Sequence, residues 1–284
     1  MKTHHHGRQI FGTLLLLVIY ICIMNAPAIA ESKHSHPEHS STLQTVLNKG
    51  QLHIGVSLFT PWTLKNSKGE LVGFEIDIAK KLAKDMGVEP KFHELAWHDI
   101  LPALLNKDID IIIAGMVITP QRALKVNFSH PYVESGIGLA TNHQRTKSFT
   151  SLKDLNQPAS TIAVVTDTVS EGLARRVFPN ATIQTFLTSQ KAIRAITTGK
   201  VHGYIELNPL PTFLALDHPD KVDTPLSKPL LSTKAGFAVN KGDADFINFL
   251  NSWIIAREAD TWLTSAHKYW FRSLDWRKDA GVKE

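Results

Sequence analysis

An α/β fold in two lobes, each an open and mostly parallel sheet flanked by helices, is predicted from three observations. Short apolar strands alternate with amphipathic helices along the chain from about residue 43, the pattern of strands joined by crossover helices. The strand–helix theme occurs in two units, separated by the polar, loop-rich stretch Asn142 to Pro158. Two extended segments, Gly136 to Thr141 and Ala235 to Lys241, enter and leave the second unit. The first lobe is therefore expected to be discontinuous, with a hinge at the two crossings.

The N-terminus reads as a secretory signal. Lys2 and Arg8 form a basic start, Ile10 to Met24 an apolar core, and Ala28-Ile29-Ala30 an A-x-A cleavage site. The apolar stretch is too short for a comfortable membrane anchor. Residues 1–30 are assigned to this signal, so the mature chain of 254 residues would begin at Glu31 in the periplasm. That length suffices for two compact lobes. The only cysteine, Cys22, falls in the removed segment and lacks the small residues expected before a lipid-modified cysteine. Residues 31–42 are polar and without periodicity, a disordered leader. Its His34, His36 and His39 are imidazoles in a solvated tail rather than a metal site, and no cofactor or metal is expected. The net charge of +5 is small and the basic residues are scattered, which argues against nucleic acid.

Each element has a local reason. His53 to Ser57 is an apolar strand. Glu75 to Met86 is a helix with the stripe Ile78, Ala79, Leu82, Ala83 and Met86, closed by Gly87 at C′. Val88 to His93 is a strand, and Asp99 to Asn106 a helix burying Ile100, Leu101, Leu104 and Leu105. In the second unit the strands are Thr161 to Val165, Thr182 to Phe186 and Val201 to Leu207. The helices are Ser170 to Phe178 and Ser189 to Gly199. Asp243 to about Trp270 is helical and should pack back on the first unit. The lobes are thus set at 43–138 with 240–284, and 139–239.

The richest local signal follows the apolar run Ile109 with Ile111 to Ala114, which ends in Gly115. Thr119 suits an N-cap and Pro120 the first helical position, which places Arg122 in the first turn beside free backbone donors. A carboxylate binds well at such a place, with the guanidinium supplying a planar fork. An ordinary strand-to-helix turn with a solvated arginine would read the same way.

Gly73-Phe74-Glu75-Ile76-Asp77-Ile78-Ala79, Trp97 to Leu104, the Gly115 to Arg122 loop and Phe128-Ser129-His130-Pro131-Tyr132 occur in order. Together they resemble the periplasmic solute-binding proteins of polar amino-acid ABC transporters (family 3). The resemblance covers nearly all of the chain after about Thr42 and is strongest from Gly55 to Tyr132. It implies the type II two-lobe binding-protein fold with two hinge crossings, and no metal in the site. It also implies a monomer that binds a small carboxylate-bearing solute, an amino acid or related compound, and hands it to a membrane permease. By similarity, Trp62 would cover the ligand's side chain or pack in the core. Trp97 is a common family aromatic whose expected role is core packing. Gly115 would offer a carbonyl to a ligand amine, and Arg122 its guanidinium to a ligand carboxylate.

The chain departs from that pattern at several places. Val117 stands where relatives have a hydroxyl, although backbone donors remain there. Asp167-Thr168-Val169 replaces Gly-Thr followed by Thr or Ser. Thr168 can still cap a helix and reach a carboxylate, while Asp167 adds a negative charge unless it points elsewhere or pairs with Arg175 or Arg176. Leu207 occupies the place of the aspartate that pairs with the ligand's ammonium. Glu206 is one step off, and a one-residue step reverses the face of a strand. A terminal bulge would restore it to the cleft; without one, neutral α-amino acids should bind poorly. Exported cyclohexadienyl (prephenate) dehydratases resemble the same regions. On that alternative Glu171 is the candidate catalytic acid, in the first turn of a second-lobe helix.

Overall fold

The computed structural model describes residues 41–281. The signal segment, its cleavage site and nearly all of the leader, including His34, His36 and His39, lie outside the described residues. No helix among the described residues is long and apolar enough to cross a membrane.

The first strands and helices are α1 (Thr42–Lys49), β1 (Gln51–Val56), the small hairpin β2 (Leu64–Lys65) and β3 (Leu71–Val72), α2 (Phe74–Met86), β4 (Glu89–Glu94) and α3 (Trp97–Leu105). β5 (Ile111–Ile112), the one-turn helix α4 (Pro120–Ala123) and the long β6 (Asn127–Asn142) follow. The second unit holds β7 (Thr161–Val165), α5 (Val169–Val177), β8 (Thr182–Phe186), α6 (Ser189–Thr197), β9 (Gly203–Leu207), α7 (Leu210–Asp217) and β10 (Val222–Asp223). β11 (Leu231–Val239) returns, and α8 (Ala244–Ala259), α9 (Trp262–Arg272) and α10 (Asp275–Asp279) end the chain.

All strands but the β2–β3 hairpin join one sheet in the order β4-β1-β5-β11-β6-β9-β7-β8, with β10 on β6. β1 pairs in parallel with β4 and β5, and β7 in parallel with β8 and β9. Between these parallel groups, β6 and β11 run antiparallel from Ile137↔Leu231 to Asn127↔Val239. Both crossings expected from the sequence are therefore segments of longer strands. Their register is irregular between Ala235 and Ala238. There a Cβ on Gly236 would stand 3.0 Å from the Ser129 carbonyl, and Ser129 Oγ accepts the Phe237 N–H at 2.9 Å. A pair of strands that changes register in this way can bend without losing its ladder.

Hydrophobic cores form on either side of that central pair. One gathers Ile54, Phe74, Ile78, Leu82, Phe237 and, from the C-terminal helices, Phe246, Trp253, Leu263 and Trp270. Those helices pack back on the first unit as expected; Trp270 Nε1 donates to Asp77 at 2.7 Å and Trp253 Nε1 to Asp85 at 2.8 Å. In the second unit, Ala163, Ala192, Ile196 and Tyr204 pack on one sheet face and Ile162, Val164, Leu173 and Phe178 on the other. Three helices were not foreseen: α1, α7 and the short α10, which lies past the helical stretch expected to end at about Trp270. α1 falls where a structureless leader was expected to give way, capped by Ser41 Oγ, which accepts the Gln44 N–H. α7 reads LPTFLALD, apolar on every side and so without periodicity, because it serves two cores. Leu210 and Leu214 face the second unit, while Phe213 meets Trp276 of α10 with ring centroids 6.0 Å apart. Arg277 of α10 forms an ion pair with Asp217 of α7.

Candidate functional site

Strand ends of both units open on one cleft. Its empty space, counted with the open mouth and the solvent beyond it, is about 550 Å³. Leu58, Phe59, Trp97, Gly115, Val117 and Arg122 line it from the first unit. Thr168, Val169, Ser170, Ser189, Glu206 and Leu207 line it from the second.

Arg122 is delivered as its local sequence predicts. Thr119 is the N-cap of α4, its Oγ1 accepting the Arg122 N–H at 3.2 Å, and Pro120 opens the helix. The guanidinium is anchored by Nη1, which donates to the Val117 carbonyl at 2.9 Å, and it lies over the Trp97 ring at 5.3 Å. Burial lowers its pKa to about 10, which still leaves it charged at neutral pH. Val117 contributes a carbonyl to Arg122 and an apolar wall to the cleft, as a residue without a hydroxyl must.

The aromatic surface differs from expectation. Trp62 is only 1% exposed and does not line the cleft. It sits behind Gly115, between Phe59 (6.3 Å, stacked) and Phe271 (4.7 Å). A Cβ on Gly115, whose φ is +61°, would come within 2.9 Å of the Trp62 ring, so only glycine permits this approach. Packing in the core, one of the two roles open to Trp62, is how it is placed. Phe59 and Trp97 carry the faces that meet the cleft instead; Trp97 is half-buried at its mouth and, as expected, also packs against the core around Ile100 and Leu104.

Behind Gly115 lies a carboxyl that the sequence pattern did not single out. Tyr132 Oη accepts the Gly115 N–H at 3.3 Å and donates to Glu75, 2.9 Å from each oxygen. Burial outweighs these hydrogen bonds and raises Glu75 from an ordinary 4.5 to about 8. The folded protein therefore holds a proton there that the unfolded chain releases above about pH 4.5. Its contribution to stability is fully present below that pH and is lost as pH rises through about 8, at about 1.4 kcal/mol per pH unit. Glu75→Gln, which mimics the protonated form, should flatten this decline. Chemical denaturation of both proteins between pH 5 and 9 checks it, and equal slopes would refute the assignment.

In the second unit, Thr168 caps α5, its Oγ1 accepting the Glu171 N–H at 3.3 Å and donating to the Val165 carbonyl at 2.7 Å. Asp167 does not present its carboxylate to the cleft. The residue is exposed, and Arg175 pairs with Glu171 at 2.8 Å rather than with it. Its backbone is in the left-handed region (φ +60°), which Asp tolerates better than most residues. That conformation aims the carbonyl across the cleft, where it accepts from Trp97 Nε1 at 3.1 Å and Arg122 Nη2 at 3.4 Å. Glu171 is fully engaged, by Arg175 and by the Asp167 N–H at 3.0 Å, and does not line the cavity.

Glu206 lines the cavity although β9 has no bulge; its pairing with β6 is regular from Ile137↔Leu207 to Thr141↔Gly203. Strand alternation holds, but the cleft spans the end of the sheet and receives side chains from both faces. Leu207 reaches it from one face, and Glu206 from the other beneath the first turn of α5. The Leu207 N–H (2.8 Å), Tyr204 Oη (3.2 Å) and Ser170 Oγ (3.4 Å) donate to its carboxylate. Burial outweighs them and raises the pKa from 4.5 to about 7. Phe59, Ser170 and Ser189 escaped the sequence reading. The two serines occupy the first turns of helices that follow strands, the one signal that could have found them.

The profile of bacterial extracellular solute-binding proteins, family 3, matches residues 52–273. The chain is 29% identical over 275 residues to the glutamine-binding protein GlnH of Bacillus subtilis, covering 93% of this chain and 98% of that protein. It is 24% identical over 275 residues to the L-cystine-binding protein TcyJ of Escherichia coli K12, covering 95% and 98%. Among solved structures, an ABC-transporter binding component of Wolinella succinogenes complexed with lysine superposes with TM-score 0.76 at 32% identity, covering 81% of this chain and 99% of that one. An ancestral amino acid-binding protein described as a precursor of cyclohexadienyl dehydratase gives TM-score 0.75 at 32% identity, covering 82% and 100%.

Proposed function

The chain belongs to the bacterial extracellular solute-binding proteins of family 3, and from that premise we propose that it captures an α-amino acid in the periplasm for an ABC-type permease. The observation that carries this reading is one cleft lined by a single cation, Arg122, and a single buried anion, Glu206. They are contributed by opposite lobes, taken as 43–138 with 240–284 and 139–239. A zwitterion spanning the gap gives its carboxylate to Arg122 and its ammonium to Glu206, so that the bound ligand stabilises the closed state. Gly115, Val117 and Thr168 line the space between them. The direct contacts from Trp97 and Arg122 to the Asp167 carbonyl assist closure. Trp62, Asp167 and Glu171 act through packing and helix capping. The dehydratase alternative takes no support from Glu171, whose carboxylate is bound to Arg175. The protein works as a monomer without metal or cofactor.

A thermal-shift survey of the twenty common amino acids tests the proposal. A ligand at one hundred times its dissociation constant stabilises by about 2.7 kcal/mol, and no shift with any of them would reject it. Export is part of the same reading: mass spectrometry of the periplasmic fraction should find Glu31 as the first residue, and a retained segment ahead of Ala30 would refute cleavage.

A further inference from the structure

Resting on the reading just given, we infer that the ligand is an α-amino acid with an uncharged, apolar side chain, aliphatic or aromatic. The charge inventory of the cleft carries the inference. Arg122 and Glu206 are matched by the two charges that every α-amino acid brings, and no third charged side chain among the described residues lines the cavity. The acidic groups nearest in sequence are committed or turned away: Glu171 pairs with Arg175, and Asp167 is exposed. A lysine or arginine side chain would bury a second cation with no carboxylate to meet it, and a ligand glutamate a second anion with no cation; both are costly.

Uncharged polar side chains fare little better, because three of the four hydroxyls of the wall, all but that of Ser57, are engaged. Thr168 bridges Val165 and Glu171, and Ser170 donates to Glu206. Ser189 is hydrogen-bonded to Tyr204. A glutamine amide, with four hydrogen bonds to satisfy, would meet only the Ser57 hydroxyl among the uncommitted side chains of the wall. What remains of the wall is apolar: Leu58, Phe59, Trp97, Val169 and Leu207. An apolar side chain is the one kind that brings to this surface no polar group needing a partner.

Isothermal titration of the purified mature chain with leucine, isoleucine, valine, methionine, phenylalanine, lysine, arginine, glutamine and glutamate decides the matter. At least one of the five apolar ligands should bind about 100-fold more tightly than lysine or arginine, given an unpaired buried charge, and more tightly than glutamine or glutamate. Tightest binding of lysine, arginine, glutamine or glutamate overturns the inference and leaves amino-acid capture intact. Absence of binding by all twenty common amino acids removes both, so the two failures are told apart.

Discussion

Arg122→Ala is expected to weaken ligand binding by about 2 to 5 kcal/mol, the cost of leaving a desolvated charge without its partner. The loss should be large because the guanidinium is preorganised. Nη1 is held by the Val117 carbonyl at 2.9 Å and the plane by the Trp97 face at 5.3 Å, so little rotamer freedom is left to lose on binding. Lysine at this position keeps the charge but lacks the fork that meets a carboxylate with two parallel hydrogen bonds, and should recover only part of the affinity. Calorimetry on folded variants reads both effects. An alanine variant that binds as tightly as the wild type would remove Arg122 from the site.

Glu206→Gln should cost a comparable amount and also abolish a pH dependence. With its pKa raised to about 7, the ligand-free carboxyl is half protonated near neutrality. An ammonium pairs only with the ionised form, so binding expels a proton and affinity falls as pH drops below about 7, up to tenfold per unit. Stability of the ligand-free protein runs the other way. A carboxyl with a raised folded pKa stabilises most below its unfolded value of 4.5 and loses that contribution as pH rises through about 7. The same proton that favours the empty fold therefore opposes the ligand. Titrations at pH 5.5, 6.5 and 7.5 should give a sloped profile for the wild type and a flat one for Glu206→Gln. Parallel profiles for the two proteins would show that the ammonium is held elsewhere.

The parts of the site that could be read from sequence are those with local causes. The N-cap at Thr119, the proline at the first position of α4 and the consequent placing of Arg122 depend on four adjacent residues. So does the Thr168 cap. The strands Thr161–Val165 and Thr182–Phe186 have the bounds that alternation and length suggest. What escaped depends on residues far apart in the chain. Trp62 is drawn inward by Phe271 and Phe74, about 200 and a dozen positions away, and nothing in Pro61-Trp62 announces them. Glu206 was left undecided because alternation assigns a face but not the depth at which the cleft meets the strand end. α7 was missed because a helix between two cores has no polar face to give it a period. Glu75 was given no role of its own within the Gly73 to Ala79 motif, since burial of a carboxyl under Tyr132 is a tertiary fact.

Trp97 has a use beyond packing. Of the six tryptophans in the chain, Trp62, Trp253, Trp262, Trp270 and Trp276 belong to or pack against the core of the first unit. Trp97 alone stands at the mouth of the cleft, donating to a carbonyl of the opposite unit and lying against the Arg122 guanidinium. Trp62 and Trp276 touch Phe59 of the cleft wall and Phe213 of the second unit, so the share of Trp97 in the emission is read as the difference between the wild type and Trp97→Phe. On the closure proposed above, that difference follows the open and shut populations optically without attaching a dye.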